Sequence, residues 1–336
     1  MKKWIICLMV LFLFVWVKAE KVTTLNEIFR TDQVEVDKDR LYIVDHTKVF
    51  VYSLKNYKLE AKFGEQGEGP KEFKIRPGDR VYVYPIGNYI YVDSLGKVSI
   101  FTKKGEYVKE MRAVKGAYFT PVGDNAFVAE GSIEDGKNVY TTINIFDKNL
   151  NMGKELYRRM DIFQKNTNTA MLFDVALAFK ASKDRIFITG QEGFVVSIFD
   201  LKGKEIFKIE REYKKRPITQ KDKDDVFDWY KHDPRYNEEH YQRIKQILRF
   251  PDYFPAIEDI IVKDEKLYVR TYNVKDDKYE LVVFDLNGKY LNTYYVNLKR
   301  MNPLEPYDFD IANGNIYQVI EDENTEKWDL HIFPIK

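Results

Sequence analysis

Three carboxylates stand at the ends of short apolar and aromatic runs: Asp45 after Leu41-Tyr42-Ile43-Val44, Asp93 after Ile90-Tyr91-Val92, and Glu130 after Ala126-Phe127-Val128-Ala129. Brought to one place, such side chains suit a hard divalent cation, calcium or else zinc, because these ions take oxygen ligands. A cation held in that way supports metal-dependent hydrolase or lyase chemistry. The same carboxylates have a plainer use, which is to cap the turn that follows each run by accepting local backbone N–H bonds.

Other chemistry has less support. The four histidines, His46, His232, His240 and His331, are scattered and form no H-E-x-x-H pair. There is no G-x-S-x-G elbow, and the one cysteine is Cys7. The Gly64-x-x-Gly67-x-Gly69 stretch leads into a strand rather than a helix, so it does not fit a nucleotide loop. Arg211, Lys214, Lys215 and Arg216 are flanked by Glu210, Glu212, Asp222, Asp224 and Asp225, which reads as a mixed-charge solvated surface.

The elements that position these groups repeat along the chain. Each copy has a short apolar-aromatic strand, a connection and a second strand ending in an aromatic residue, followed in the first five copies by a polar turn and a third strand. The leading strands are Leu41-Tyr42-Ile43-Val44, Ile90-Tyr91-Val92, Ala126-Phe127-Val128, Ile186-Phe187-Ile188, Leu267-Tyr268-Val269-Arg270 and Ile316-Tyr317-Gln318-Val319. A further alternating strand precedes each copy, as in Val34-Glu35-Val36 and Ile260-Ile261-Val262. Alternation bounded by Gly, Asn and Asp marks strands and hairpins. Six four-stranded units arranged radially make an all-β, six-bladed β-propeller. The strands of a blade are labelled a to d from the axis outwards.

The sixth copy ends after its c strand, and Val22 to Phe29 offers a spare strand ahead of the first copy. This N-terminal strand is expected to complete blade six and close the ring. Blades four and five carry Gly190 and Thr271 where blades one and two are expected to carry Asp45 and Asp93.

The chain has 54 Lys and Arg against 53 Asp and Glu, a balance that argues against nucleic acid as a partner. Met1-Lys2-Lys3, the apolar run Trp4 to Val17, and Val17-Lys18-Ala19 have the layout of a cleaved signal peptide over 1–19. The run falls short of the ~20 residues that span a bilayer, although an uncleaved anchor is the alternative. Cys7 lies inside the run, out of place for lipidation. Cleavage leaves a thiol-free domain over 20–336 with no integral membrane segment, acting outside the inner membrane in the periplasm or beyond.

Phe63-Gly64-Glu65-Gln66-Gly67-Glu68-Gly69-Pro70-Lys71-Glu72-Phe73, followed by Pro77, resembles the inter-blade linker of NHL-repeat-like propellers. It is particularly similar to the bacterial exported "6-bladed beta-propeller" group, as is Phe250 to Ile257 running into Asp259-Ile260-Ile261-Val262. The resemblance covers nearly all of the chain after the leader and implies the fold; the group has no single activity to transfer. A recurring Trp-Asp pattern, paired kelch glycines and a sialidase Asp-box are all missing.

Connection lengths vary mainly between b and c and between d and a, which share one face of a propeller. Glu130 to Asn138, Asn273 to Lys278 and Glu321 to Lys327 are expected as longer loops there. The largest insert spans about 213–255. In it, Thr219 with Asp222 forms a capping-box pattern, and Val226, Trp229 and Tyr230 make a helical stripe. A second helix is expected from Asn237, with Pro251 and Pro255 ending it. Rigid scaffolds carry function on such loops, so the expected activity is capture of a protein, peptide or glycan on this face. Asp45, Asp93, Glu130, Arg270, Trp229, Tyr230 and Tyr253 are the candidate contacts. The alternatives are a lactonase-like metal-dependent hydrolase or lyase at the axial mouth, and a structural envelope subunit.

Overall fold

The computed structural model describes residues 20–76, 79–113, 117–123, 125–161, 169–174 and 177–336. The expected leader with Cys7, and Pro77 of the linker, lie outside these residues.

Six four-stranded antiparallel sheets form the blades of a propeller. Blade one shows the plan: a is Gln33–Asp37, b is Arg40–Asp45, c is Lys48–Ser53 and d is Leu59–Phe63. Tight turns with left-handed residues join the strands, Lys38 at φ 51° between a and b for example. The b and c strands are buried on both faces, because each blade is packed between two others. Apolar residues therefore run without a break: Leu41 and Ile43 enter the core between blades six and one, and Tyr42 and Val44 the core between blades one and two. Each of the six interfaces between blades has its own apolar cluster of this kind.

The ring closes as the spare strand requires. Glu20–Leu25 pairs antiparallel with Lys327–Pro334, the c strand of blade six, and so supplies strand d. Leu25 and Ile28 are buried against Trp328, Tyr307 and Leu330, and the Thr24 hydroxyl donates to Asp329 at 2.7 Å. Lys21 pairs with the same carboxylate at 2.8 Å.

Two expectations need correction. The stretches read as long b–c loops are strands that continue past the disc. Ala126–Asp135 and Asn138–Asp147 form one long hairpin in blade three, and Lys266–Lys275 and Lys278–Asp285 another in blade five. In blade six the strands Asn315–Asp322 and Lys327–Pro334 are also long, but the expected loop persists as the four-residue turn 323–326 between them. Polar residues alternate there because solvent replaces the neighbouring blade. The two-residue turn of blade five, Asp276-Asp277, has φ 51° and 58°, the mirror-image turn that matches strand twist.

The second correction concerns register. The c-strand aromatics Tyr52, Phe101, Phe146, Phe199, Phe284 and Phe333 lie opposite Leu41, Ile90, Phe127, Ile186, Leu267 and Ile316. Three residues on from those positions come Val44, Asp93, Glu130, Thr189, Arg270 and Val319. Asp45 is therefore one residue beyond the position of Asp93, and Gly190 and Thr271 align with Asp45 and Ser94.

The insert between blades four and five forms two helices, α1 (Gln220–His232) and α2 (Glu238–Ile247). The Thr219 side chain accepts from the Asp222 N–H while Asp222 accepts from the Thr219 N–H, so the box works with Asp in place of Glu. Asn237 caps α2 through the His240 N–H. Val226 is the buried residue of α1, and α2 buries none.

Candidate functional site

The three carboxylates do not meet. Asp45 accepts the Phe29 N–H at 2.9 Å and so fastens the segment entering blade one. Asp93 is fully buried between blades two and three, and neither of its oxygens has an oriented donor among the described residues. The nearby Phe119 N–H only partly offsets desolvation, which holds the carboxyl well above the ordinary carboxylate range. Glu130 is exposed on the protruding hairpin of blade three, close to Arg159 and Asp161. Among the described residues no group of three His, Cys, Asp or Glu side chains is arranged to hold a metal ion. Asp45, Asp93 and Glu130 thus do not fit a shared calcium or zinc site, and no step is derived through one.

Arg270 occupies the Asp93 position of blade five. Its guanidinium lies 3.0 Å from Glu258 and 5.6 Å from the Phe309 ring centre, with both partners of the ion pair buried. Burial raises the Glu258 carboxyl, and Arg270, Arg300 and Arg216 oppose that shift. A register break after Arg270 turns Tyr272 outwards toward the lid.

Tyr272 stacks on Phe254 with ring centres 4.8 Å apart and planes at 22°. Phe173 packs on both rings, and Phe250 joins Phe173 to Phe227 of α1. Arg216 covers Phe254 at 4.6 Å, donates to the Tyr272 carbonyl at 2.6 Å, and pairs with Asp222 at 3.1 Å. This hub anchors the lid. Trp229 and Tyr230 take no part in it: they pack on each other at 4.6 Å, and Tyr236 and Arg235 close the group at the far end of α1. Sequence periodicity missed Phe227 because it lies one position off the expected stripe.

Beside the hub is a cleft of about 500 Å³. One wall is the blade four b–c loop, 189–193; the other is made by Tyr213, Lys215 and the returning segment 253–257. Glycine is required at 190, where φ is 115° and a Cβ would come within 3.0 Å of Leu177 and Tyr157. The Tyr157 hydroxyl donates to the Gly190 carbonyl at 2.6 Å, and Gln191 donates to the Ser197 hydroxyl at 3.0 Å, so the loop is braced. Across the cleft, Tyr253 is 48% exposed and Lys215 stands 5.6 Å above its ring. Of the seven candidate contacts, Tyr253 alone lines this cleft.

The axis holds a group that no sequence motif announced. Lys263, at the end of strand a of blade five, pairs with Glu35 of blade one and Asp310 of blade six, each at 2.7 Å. Its ammonium also donates to the Val36 carbonyl at 2.9 Å. Asp310 accepts the N–H groups of Val36 and Ile311, both at 2.7 Å. Desolvation raises the Asp310 carboxyl, whereas Lys263 holds Glu35 below its usual range. The triad pins three blades together near the a–b face.

No family model matches the chain, and no curated protein matches it. Solved structures do match in fold. An exported-type protein of Bacteroides fragilis NCTC 9343 superposes with a TM-score of 0.55 at 14% identity, covering 95% of each chain. A member of the DUF4221 family from Bacteroides vulgatus gives a TM-score of 0.49 at 9% identity, covering 95% of this chain and 98% of that one. The Swd1 β-propeller domain of Myceliophthora thermophila gives 0.40 at 12% identity, covering 94% and 99%. At 14% identity the first of these likenesses speaks to fold alone. Among the described residues no helix is long and apolar enough to cross a membrane.

Proposed function

We propose that this protein is an exported binding module that captures a protein, peptide or glycan partner on its b–c/d–a face. One observation carries the reading: the departures from a plain disc gather on that face. They are the extended hairpins of blades three, five and six, the helical lid, and the cleft at the lid's base. A rigid ring with elaborated loops on one side suits recognition. Export rests on the basic start, short apolar run and Ala19 of the leader.

The test replaces residues 217–251 by a short Gly-Ser linker and measures retention of cell-envelope extract components on the immobilised protein. The ring is expected to keep its β-sheet circular dichroism while lid-dependent retention disappears. Identical retention by both proteins refutes the reading.

A further inference from the structure

We infer that the cleft between the blade four loop and Tyr253 is a binding site for a neutral saccharide. The inference deepens the binding-module reading and rests on it.

The cleft is of a size that accepts a small ligand. Its formal charges cancel, with Glu192 on one wall and Lys215 on the other. An anionic ligand would face Glu192, and a cationic one would face Lys215. A neutral ligand meets neither penalty. Such a ligand must still satisfy both donors and acceptors. Glu192 accepts and Lys215 donates. The backbone N–H groups of Gln191 and Glu192 have no acceptor among the described residues. At Gly193, where φ is 87°, a Cβ would meet nothing within 4 Å, so the loop leaves the cleft open.

The Lys215 wall also carries apolar and aromatic surface. Tyr253 exposes nearly half its surface beside Tyr213 and Pro255. Its Lys215 neighbour is an exposed side chain on a flexible stem. A pyranose ring has an apolar C–H face to lay on an aromatic ring and a rim of hydroxyls that both donate and accept. An extended peptide fits less well. It would bind by adding to an unpaired strand edge, but Arg185–Ile188 and Ser197–Asp200 are paired on both sides, which leaves as open edge only the three residues Phe194–Val196, paired with Glu205–Arg211 alone.

The test is saturation-transfer NMR on the full-length exported protein. The probes are neutral trisaccharides of glucose, galactose, mannose and N-acetylglucosamine, with trigalacturonate and trialanine as contrasts. Transfer to pyranose C–H protons of at least one neutral trisaccharide is expected. Tyr253→Ala should weaken that binding by about tenfold or more, as loss of an aromatic anchor does. Tyr253→Phe should retain it, and Glu192→Ala should weaken it with the thermal midpoint unchanged. The inference is overturned by transfer to no neutral trisaccharide, by preference for trigalacturonate or trialanine, or by undiminished binding in Tyr253→Ala. Lid-dependent retention that persists without saccharide binding removes the sugar assignment and leaves the binding-module reading standing; loss of both removes both.

Discussion

Lys263→Met isolates the axial triad. The methionine keeps most of the apolar stem and removes one charge that two carboxylates share. Lys263 makes two charge-assisted bonds at 2.7 Å, and its partners keep only 19% (Glu35) and 5% (Asp310) of their side-chain surface in solvent. Breaking a buried ion pair by removing one partner costs about 3–5 kcal/mol, because the charge left behind is neither solvated nor paired. Asp310 retains the Val36 and Ile311 N–H bonds, so the expected loss lies at the lower end, about 3 kcal/mol at pH 7. The loss should shrink toward pH 5. Without the ammonium, Asp310 is raised further and takes up a proton as the pH falls, which discharges the site. Denaturant unfolding followed by circular dichroism at both pH values measures this. In Lys263→Met/Asp310→Asn, with the strongest repulsion relieved, at least half of the loss should return. A loss under ~1 kcal/mol at pH 7, or a deficit that grows on acidification, refutes the account.

Asp93→Asn should stabilise the protein by about 1–3 kcal/mol at pH 7–8 and by little at pH 4. The folded carboxyl is raised above its unfolded value, so its contribution is intact below the unfolded pKa and is lost as pH rises; equal melting curves at the two pH values would contradict this. Leu25→Ala, in the strand that closes the ring, should cost about 2–5 kcal/mol in denaturant unfolding, since Leu25 is 2% exposed in the seam between blades six and one. Arg216→Ala should speed proteolytic nicking within 217–251 several-fold while the ring's thermal midpoint moves little, because Arg216 joins the lid to Phe254 and Tyr272; unchanged nicking would place the anchor elsewhere.

The blades, the closing strand and both lid helices were legible in the sequence because local patterns determine them. Turn residues separate alternating strands, and Thr219 and Asn237 cap their helices. Register was not legible to the last residue. Strand b of blade one is buried on both faces from Leu41 to Val44, so it has no alternation to show which residue faces which blade. The extra valine at 44 displaced Asp45 from the Asp93 position for that reason. The hairpin tips read as loops because their strands leave the disc and turn polar. The cleft depends on residues about 60 positions apart meeting at the base of the lid. For Lys263, the partners Glu35 and Asp310 lie 228 residues before it and in the next blade; a lysine ending Ile260-Ile261-Val262 looks locally like any solvated strand end.

The strand that completes blade six has a consequence for the order of assembly. Thr24 and Asp329 bond across 305 residues, so strand d of blade six, which precedes blade one in the chain, takes its place only once strand c of blade six has formed. Until then the c strand of blade six presents an unpaired edge, and the N-terminal strand must remain uncommitted. A loop of that span is slow to close, which makes docking of Glu20–Leu25 the natural kinetic gate of folding. It also exposes the nascent protein to edge-to-edge pairing with a second copy for the whole of that interval.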